Sequence, residues 1–288
     1  MNCPIDNNIT ERIFRKGCYW IRECSVCYHR FVEMQTTSDH VTKVYGDDYF
    51  QGGGDGYSDY VSEENIIIGH GKYYGKILSD FIQPGTVFDV GSAAGFILKG
   101  LCEYGWKGVG LEPNVTMAEL GRKKTGVNIK VGTLEQFTSE EKFDLVTMIQ
   151  VVPHFYEIKE ALQSAADLTK PSGYWLIETW NKDSWMARSL GQNWHEYSPP
   201  SVLHFFSPDT LRLLVAQFGF EEVARGRPAK KINGGHAKSL LKYKLEQSKV
   251  GTLGKKFLDL IPDSLMLPYP SYDLFWALYK KTPAANQK

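Results

Sequence analysis

The chain has 288 residues, is 42% hydrophobic, and balances 33 Lys+Arg against 33 Asp+Glu for a formal net charge of zero. That length accommodates one large domain, or one domain with a small appendage, around a sizeable core. The charge balance removes the global attraction a general nucleic-acid binder relies on. No stretch approaches the roughly 20 apolar residues that span a bilayer, and the N-terminus lacks a signal-peptide core. No transmembrane segment and a cytoplasmic location are therefore expected.

Four of the five cysteines fall in the first 45 residues: Cys3, Cys18, Cys24 and Cys27. Cys24-Ser-Val-Cys27 is a C-x-x-C knuckle. Cys3-Pro-Ile-Asp6 has the same frame with an aspartate in its last place. Zinc takes four tetrahedral ligands, and two knuckles supply two each. Cys3, Cys24 and Cys27 are thus candidate ligands of a structural zinc, with Asp6, Cys18 or nothing in the fourth position. Two other readings stay open. The cysteines serve as small hydrophobes in a metal-free segment, or they form a redox pair, although no thioredoxin-like βαβ pattern surrounds them.

Glycine, aspartate and tyrosine crowd residues 45–62, which read as loop. The acids lack the spacing of a calcium loop. Ile66, Ile67, Tyr73, Tyr74, Ile77, Leu78 and Phe81 then recur at helical spacing and predict a helix over 63–83, stopped by Pro84-Gly85. From there apolar runs alternate with helical stretches. Strands are expected at 86–91, 107–112, 127–131, 143–149, 172–179 and 219–225. Helices are expected at 94–104, 114–124, 156–169 and 207–218, and a last strand at Asp273-Leu-Phe-Trp-Ala-Leu-Tyr-Lys280. Such alternation implies an α/β fold: a doubly wound, Rossmann-like, mostly parallel sheet with helices on both faces.

The richest segment is Thr86-Val-Phe-Asp-Val-Gly-Ser-Ala-Ala-Gly-Phe96, followed by Gly108-Val-Gly-Leu-Glu-Pro113. It reads as strand, tight glycine turn, helix and a second strand closed by an acid, a unit that holds a nucleoside-like cofactor. The turn lacks the G-x-G-x-x-G spacing with which backbone approaches a pyrophosphate. Asp89, two residues before Gly91, suits a cationic ligand better than a diphosphate. S-adenosylmethionine carries a sulfonium and an ammonium and no phosphate. Glu112 follows at the distance where an acid accepts from both ribose hydroxyls.

The order Asp89-x-Gly91-x-x-x-Gly95, then Glu112, resembles the class I S-adenosylmethionine-dependent methyltransferases. Gly132-Thr-Leu-Glu-Gln-Phe137, Phe143 to His154 and Leu168 to Glu178 extend the resemblance over residues 60–225. The resemblance implies a seven-stranded sheet whose last strand runs antiparallel. It implies that Asp89, Gly91, Ser92 and Gly95 hold the methionine part, Glu112 the ribose, and Thr133 and Leu134 the adenine, while Gln150 lines the pocket. Some small-molecule members resemble this chain in an N-terminal zinc-ribbon-like segment of pattern C-P-x-C … C-x-x-C, from which this chain departs at Asp6. In related members a tyrosine-rich segment ahead of the cofactor domain forms a lid, against which a plain linker stays open for 45–62. The expected organisation is therefore 1–45 ribbon-like, 46–83 lid and leading helix, and 84–288 cofactor-binding domain.

Residues 226–270 read as an insertion. Lys230, Lys231, Lys238, Lys242, Lys244, Lys249, Lys255 and Lys256, with Arg225 and Arg227 just ahead, face only Glu246 up to position 256. A solvated amphipathic pair of helices explains this; so does an anionic substrate, an acidic carrier protein or a membrane surface.

Direct methyl displacement depends on in-line positioning and exclusion of water, with a base where the nucleophile is weakly acidic. His195, in the aromatic run Trp194-His-Glu-Tyr-Ser, is the first candidate base, with Tyr197 to orient it. His154 is the second, and a structural role for it stays open. His204, just before Ser207-Pro208, reads as a loop histidine, with Ser207 as a helix N-cap. Cys102, inside the first core helix, reads as packing. No Asn/Asp-Pro-Pro-Tyr/Phe follows strand 143–149, which disfavours methylation of adenine or protein amides. Gln150 replaces the acid of a catechol-type magnesium site. A small-molecule acceptor, sugar or secondary metabolite, at O, C or N is the leading expectation. The alternatives are an RNA or protein methyltransferase docking through the basic insertion, and a cofactor-binding module without transfer.

Overall fold

A computed structural model of the chain describes residues 1–36, 39–46, 60–229, 231–233, 262, 266–268 and 271–283. Its centre is a seven-stranded sheet in the order β10-β13-β8-β7-β4-β5-β6. The strands are β4 (Thr86–Val90), β5 (Lys107–Glu112), β6 (Asn128–Val131), β7 (Phe143–Ile149), β8 (Thr169–Trp180), β10 (Phe220–Gly226) and β13 (Leu274–Lys281). β13 runs antiparallel to both β8 and β10, and the pairs among β4 to β8 are parallel.

The central strands read as near-continuous apolar runs because both faces are covered. Alternate residues feed two cores. Phe88, Val146, Trp175 and Ile177 enter one, while Val87, Leu145, Tyr174 and Leu176 enter the other. Helix α2 (Glu64–Leu78) brings Tyr74 and Leu78 to the second core. Its neighbour α3 (Phe96–Cys102) lies so close that only glycine fits the seam. A Cβ on Gly71 would stand 2.2 Å from the Ile97 carbonyl oxygen, and one on Gly100 would stand 2.3 Å from that of Ile68. α4 (Val115–Thr125) is capped by Asn114, whose side chain accepts from the Met117 amide, and α5 (Ile158–Leu168) leads directly into β8. α7 (Pro208–Ala216) begins at Ser207, the expected N-cap, in a capping box with Thr210.

The N-terminal segment forms β1 (Thr10–Lys16), β2 (Tyr19–Cys24) and β3 (Arg30–Glu33), an antiparallel sheet completed by β9 (His204–Phe205) from the core. His204 is therefore a strand residue rather than a loop histidine. It is buried against His29, with Nε2 of His29 at 3.3 Å from its Nδ1. Burial holds His204 down to about 4 and drives His29 well below its ordinary range, so both rings pack as neutral groups.

Sequence periodicity overran the ends of the helices and fell short of those of β8. The leading helix ends at Leu78, short of Pro84, because Ser79 to Phe81 close a final turn whose amides still reach back to Gly75, Ile77 and Leu78. The first core helix starts at Phe96, after the glycine turn, and β8 starts at Thr169, where Thr169 pairs with Phe143 ahead of a bulge. Helices α1 (Asp39–Val44) and α6 (Trp185–Leu190) were not anticipated. Most of the tyrosine-rich stretch expected as a lid, residues 47–59, lies outside the described residues, as do Lys230, Lys238, Lys242, Lys244, Lys249, Lys255 and Lys256 of the basic insertion. The insertion's described ends, β11 (Lys231–Asn233) and β12 (Met266–Pro268), pair antiparallel.

Candidate active site

β4 is where the strand order reverses, with β5 and β6 on one side and β7 and β8 on the other. Ligands of open α/β sheets bind in the crevice this leaves at the carboxyl ends. The turn after β4 occupies that crevice. Gly91 and Gly95 adopt φ of +63° and +70°, the left-handed region that favours glycine. A Cβ on Gly91 would also lie 2.1 Å from Cγ2 of Val151, so backbone alone fits between β4 and the loop after β7.

Two acids flank this turn. Glu112 is 3% exposed and accepts from the backbone amides of Ala93 (2.8 Å) and Asn114 (2.9 Å), which fixes its carboxylate at the edge of the turn. Asp89 is 2% exposed, and its Oδ1 accepts from the Thr147 hydroxyl at 2.6 Å. Its Oδ2 is buried without a hydrogen-bond partner among the described residues, and so is the Ser92 hydroxyl. Burial pushes both carboxyls up to about 7, working against the Thr147 hydroxyl at Asp89 and against the two amides at Glu112. Unsatisfied buried acceptors are costly, and a cationic ligand with hydroxyls and an ammonium satisfies them. The residues thus fit the expected cofactor. Thr133 and Leu134 follow β6, with Leu134 opening a short 3-10 turn whose ring-sized neighbour Phe137 stacks on Phe88.

The segments that bracket residues 47–59 are tied to the same crevice. The Tyr45 carbonyl accepts from Asn114, and its hydroxyl donates to the Ser201 carbonyl at 2.7 Å. Tyr60 stacks on Phe96 at the start of α3.

On the other side stand residues expected to meet the acceptor. His195 keeps 45% of its side chain exposed, with Nε2 3.5 Å from Glu196 and 3.8 Å from Asp273, and its ring stands edge-on to Trp180. Asp273 is held in turn by the Trp194 indole at 2.8 Å. Tyr197 is directed elsewhere: its hydroxyl accepts from Arg30 at 2.7 Å, and its ring packs on Phe14, Trp194 and Phe205. His154 is buried. Its Nδ1 lies 2.8 Å from the Ser201 carbonyl and 2.9 Å from the Tyr45 hydroxyl, and burial lowers its pKa. Cys102 is partly buried at the end of α3, and burial raises its thiol pKa.

Sequence reasoning passed over one cluster. Glu178 of β8 is fully buried, and it accepts from the Tyr74 hydroxyl, His70 and Gln150. Its signal in the sequence was an acid inside an apolar strand, masked there because the partners sit about 100 and 30 positions away.

The cysteines also converge. Ligand atoms of Cys3, Asp6, Cys24 and Cys27 all lie within 4.8 Å of one another, with Cys3 Sγ 3.6 Å from Cys27 Sγ and Cys24 Sγ 3.3 Å from Asp6 Oδ1. Backbone amides of Ile5 and Val26 donate to the sulfurs of Cys3 and Cys24. Cys18 is exposed and outside the cluster, and Asp6 is the fourth member of it.

Residues 72–224, just over half of the chain, match the family described as Methyltransferase domain. A ubiquinone biosynthesis O-methyltransferase of Bradyrhizobium diazoefficiens is 24% identical over 153 residues, 46% of this chain and 60% of that protein. The enzyme of the same name from Paramagnetospirillum magneticum is 32% identical over 113 residues, 37% of this chain and 45% of that protein. The chain therefore spans only about half of these curated relatives. The Burkholderia thailandensis 1,6-didemethyltoxoflavin-N1-methyltransferase, solved with its substrate and S-adenosylhomocysteine, aligns over 94% of this chain and 99% of its own with a TM-score of 0.54 at 14% identity. At that identity the likeness concerns the fold.

Proposed function

The chain belongs to the methyltransferase-domain family, with the class I fold, and from that premise we propose that it transfers a methyl group from S-adenosylmethionine to a small-molecule acceptor. The observation that carries this reading is the pair of buried acids around a backbone-only turn at the sheet's switch point, with Asp89 Oδ2 and the Ser92 hydroxyl awaiting donors. Asp89, Gly91, Ser92 and Gly95 would hold the amino-acid part, Glu112 the ribose, and Thr133 and Leu134 the adenine.

When bound, the cofactor supplies an electrophilic methyl carbon, and the chain's own work is to orient the acceptor and exclude water. Trp180 and His195, backed by the fully buried Trp194, offer a flat, partly polar wall that suits an aromatic or sugar-like acceptor. His154 ties Tyr45 to the Ser201 loop, which supports a positioning role for it. A macromolecular acceptor gains no support from the charge balance; an acidic carrier or anionic surface at the basic insertion remains an accessory of the same reading.

Isothermal titration with S-adenosylhomocysteine is the first test, followed by a release assay against a panel of phenols, catechols and sugars. Micromolar binding with turnover on a panel member supports the reading, whereas absence of binding to the purified full chain overturns it. We also read Cys3, Asp6, Cys24 and Cys27 as a structural zinc site. A tetrahedron with zinc–sulfur bonds of about 2.3 Å sets sulfur–sulfur separations near 3.8 Å, close to the 3.6 Å between Cys3 and Cys27. The site would fasten the N-terminal sheet where Cys3, Ile5 and Cys24 already enter the main core. One zinc per chain by elemental analysis, lost in Cys27→Ala, is the expected result.

A further inference from the structure

Three donors converge on Glu178. The Tyr74 hydroxyl and His70 Nε2, the latter at 2.9 Å, share Oε2, while Gln150 donates to Oε1 at 2.7 Å. Gln150 adopts φ of +58°, a left-handed conformation uncommon for a residue with a side chain, and its amide donates to the Glu178 carbonyl at 2.8 Å. Strained backbone of this kind persists where the surroundings over-determine it, and it concentrates at functional sites.

Two contacts place the cluster beside the cofactor turn. Gly71, next to His70, presses on the first turn of α3, with the Ile97 carbonyl 2.2 Å from where its Cβ would be. Val151, next to Gln150, fills the space against Gly91. His70 therefore stands between the turn that would hold the methionine part and the strand end that faces the acceptor.

The ring is ordered but reachable. It packs against Tyr73 and Tyr74, with centroids at 6.0 and 4.8 Å, and its side chain keeps 10% exposure. With Nε2 facing a carboxylate, the neutral imidazole carries its proton on Nε2 and its lone pair on Nδ1. The more exposed His195 suits contact with the acceptor's outer face.

We propose that His70 is the general base of the transfer, accepting the acceptor's proton at Nδ1, and that Glu178 is its positioning residue, fixing the tautomer and stabilising the imidazolium. The inference rests on the reading of the crevice as a methyl-transfer site. As the acceptor's X–H bond gives its proton to Nδ1, the X lone pair forms the bond to the methyl carbon. The methyl–sulfur bond breaks with its electron pair passing to sulfur, which becomes a neutral thioether. The proton leaves His70 to solvent after product release.

The test needs no acceptor. The full chain, labelled with 15N-histidine, is titrated by NMR with S-adenosylhomocysteine and then with S-adenosylmethionine, which differs by one methyl and one positive charge on sulfur. His70→Asn identifies the resonance, with His70→Gln as a second variant should the first not fold. The expected result is a neutral ring protonated on Nε2. The 15N shift of Nδ1 should differ between the two complexes, because a base of the transfer faces the sulfur and its positive charge. Glu178→Gln should weaken the preference for the Nε2-protonated tautomer in both complexes. Identical Nδ1 shifts in the two complexes, or a ring protonated on Nδ1, overturn the base role, since a purely structural histidine does not sense the sulfonium. Failure of both ligands to bind the unlabelled protein is a different result and overturns the cofactor reading instead.

Discussion

Glu112 closes β5, Glu178 lies two residues from the end of β8 in the same sheet, and both are almost wholly buried, at 3% and 0% exposure. Their donors differ in kind. Glu112 is held by the backbone amides of Ala93 and Asn114, which belong to the two turns on either side of it. Glu178 is held by the side chains of Tyr74, His70 and Gln150, which come from a helix and a loop distant in the chain. Backbone donors cannot rotate away or change protonation, so Glu112 is a fixed fixture suited to gripping a ligand. Side-chain donors can exchange partners and protons, so Glu178 is suited to chemistry. The cofactor side of the crevice is thus rigid and local, and the acceptor side is assembled from afar.

Replacing each acid separates the two roles. Glu112→Ala is expected to weaken S-adenosylhomocysteine binding about 100-fold, the loss of roughly two hydrogen bonds to a charged acceptor. Titration calorimetry measures it, and a change under threefold would break the comparison. Glu178→Ala is expected instead to act on stability, by about 3 kcal/mol, because the buried Tyr74 hydroxyl loses its acceptor. Urea unfolding reads this, with Glu178→Gln recovering most of it.

Gly71→Ala tests whether the helix seam places His70. Its Cβ would meet backbone atoms of Ile97 and Gly100, at 2.2 and 3.0 Å, and backbone cannot step aside as a side chain can. A loss of about 2 kcal/mol is expected, with a displaced His70 resonance in the NMR titration and an intact cofactor turn.

The smallest expected effect is one of pH. Asp89 and Glu112, ordinarily at 3.8 and 4.5, are raised to about 7 in the folded chain by burial. The ligand-free fold therefore holds protons there that the unfolded chain has released. The stability these groups contribute is complete below about 4 and is lost as pH rises through about 7. A cationic ligand favours the ionised acids, so its binding runs in the opposite direction. S-adenosylmethionine should bind about tenfold more tightly at pH 7 than at pH 5.5, with protons released at the lower pH. Calorimetry in two buffers of different ionisation enthalpy checks it, and pH-independent binding would mean that neither acid meets the cation.

The sequence by itself determined the alternating strands and helices, the glycine turn with Asp89 and Glu112, and the Ser207 cap. Each is written in residues close together: apolar runs mark strands buried on both faces, and a turn that needs left-handed backbone declares its glycines. The knuckles Cys3 to Asp6 and Cys24 to Cys27 were legible as pairs, while the choice of Asp6 over Cys18 was not, because it depends on where the hairpin of β1 and β2 carries each sulfur. Only the tertiary structure turned Tyr197 toward Arg30, paired His204 with His29 where β9 joins the N-terminal sheet, and gathered His70, Tyr74 and Gln150 around Glu178. Those contacts join residues from about 30 to more than 150 positions apart. Local pattern carries no information about such pairs, because packing of helix on sheet, rather than spacing along the chain, decides which side chains meet.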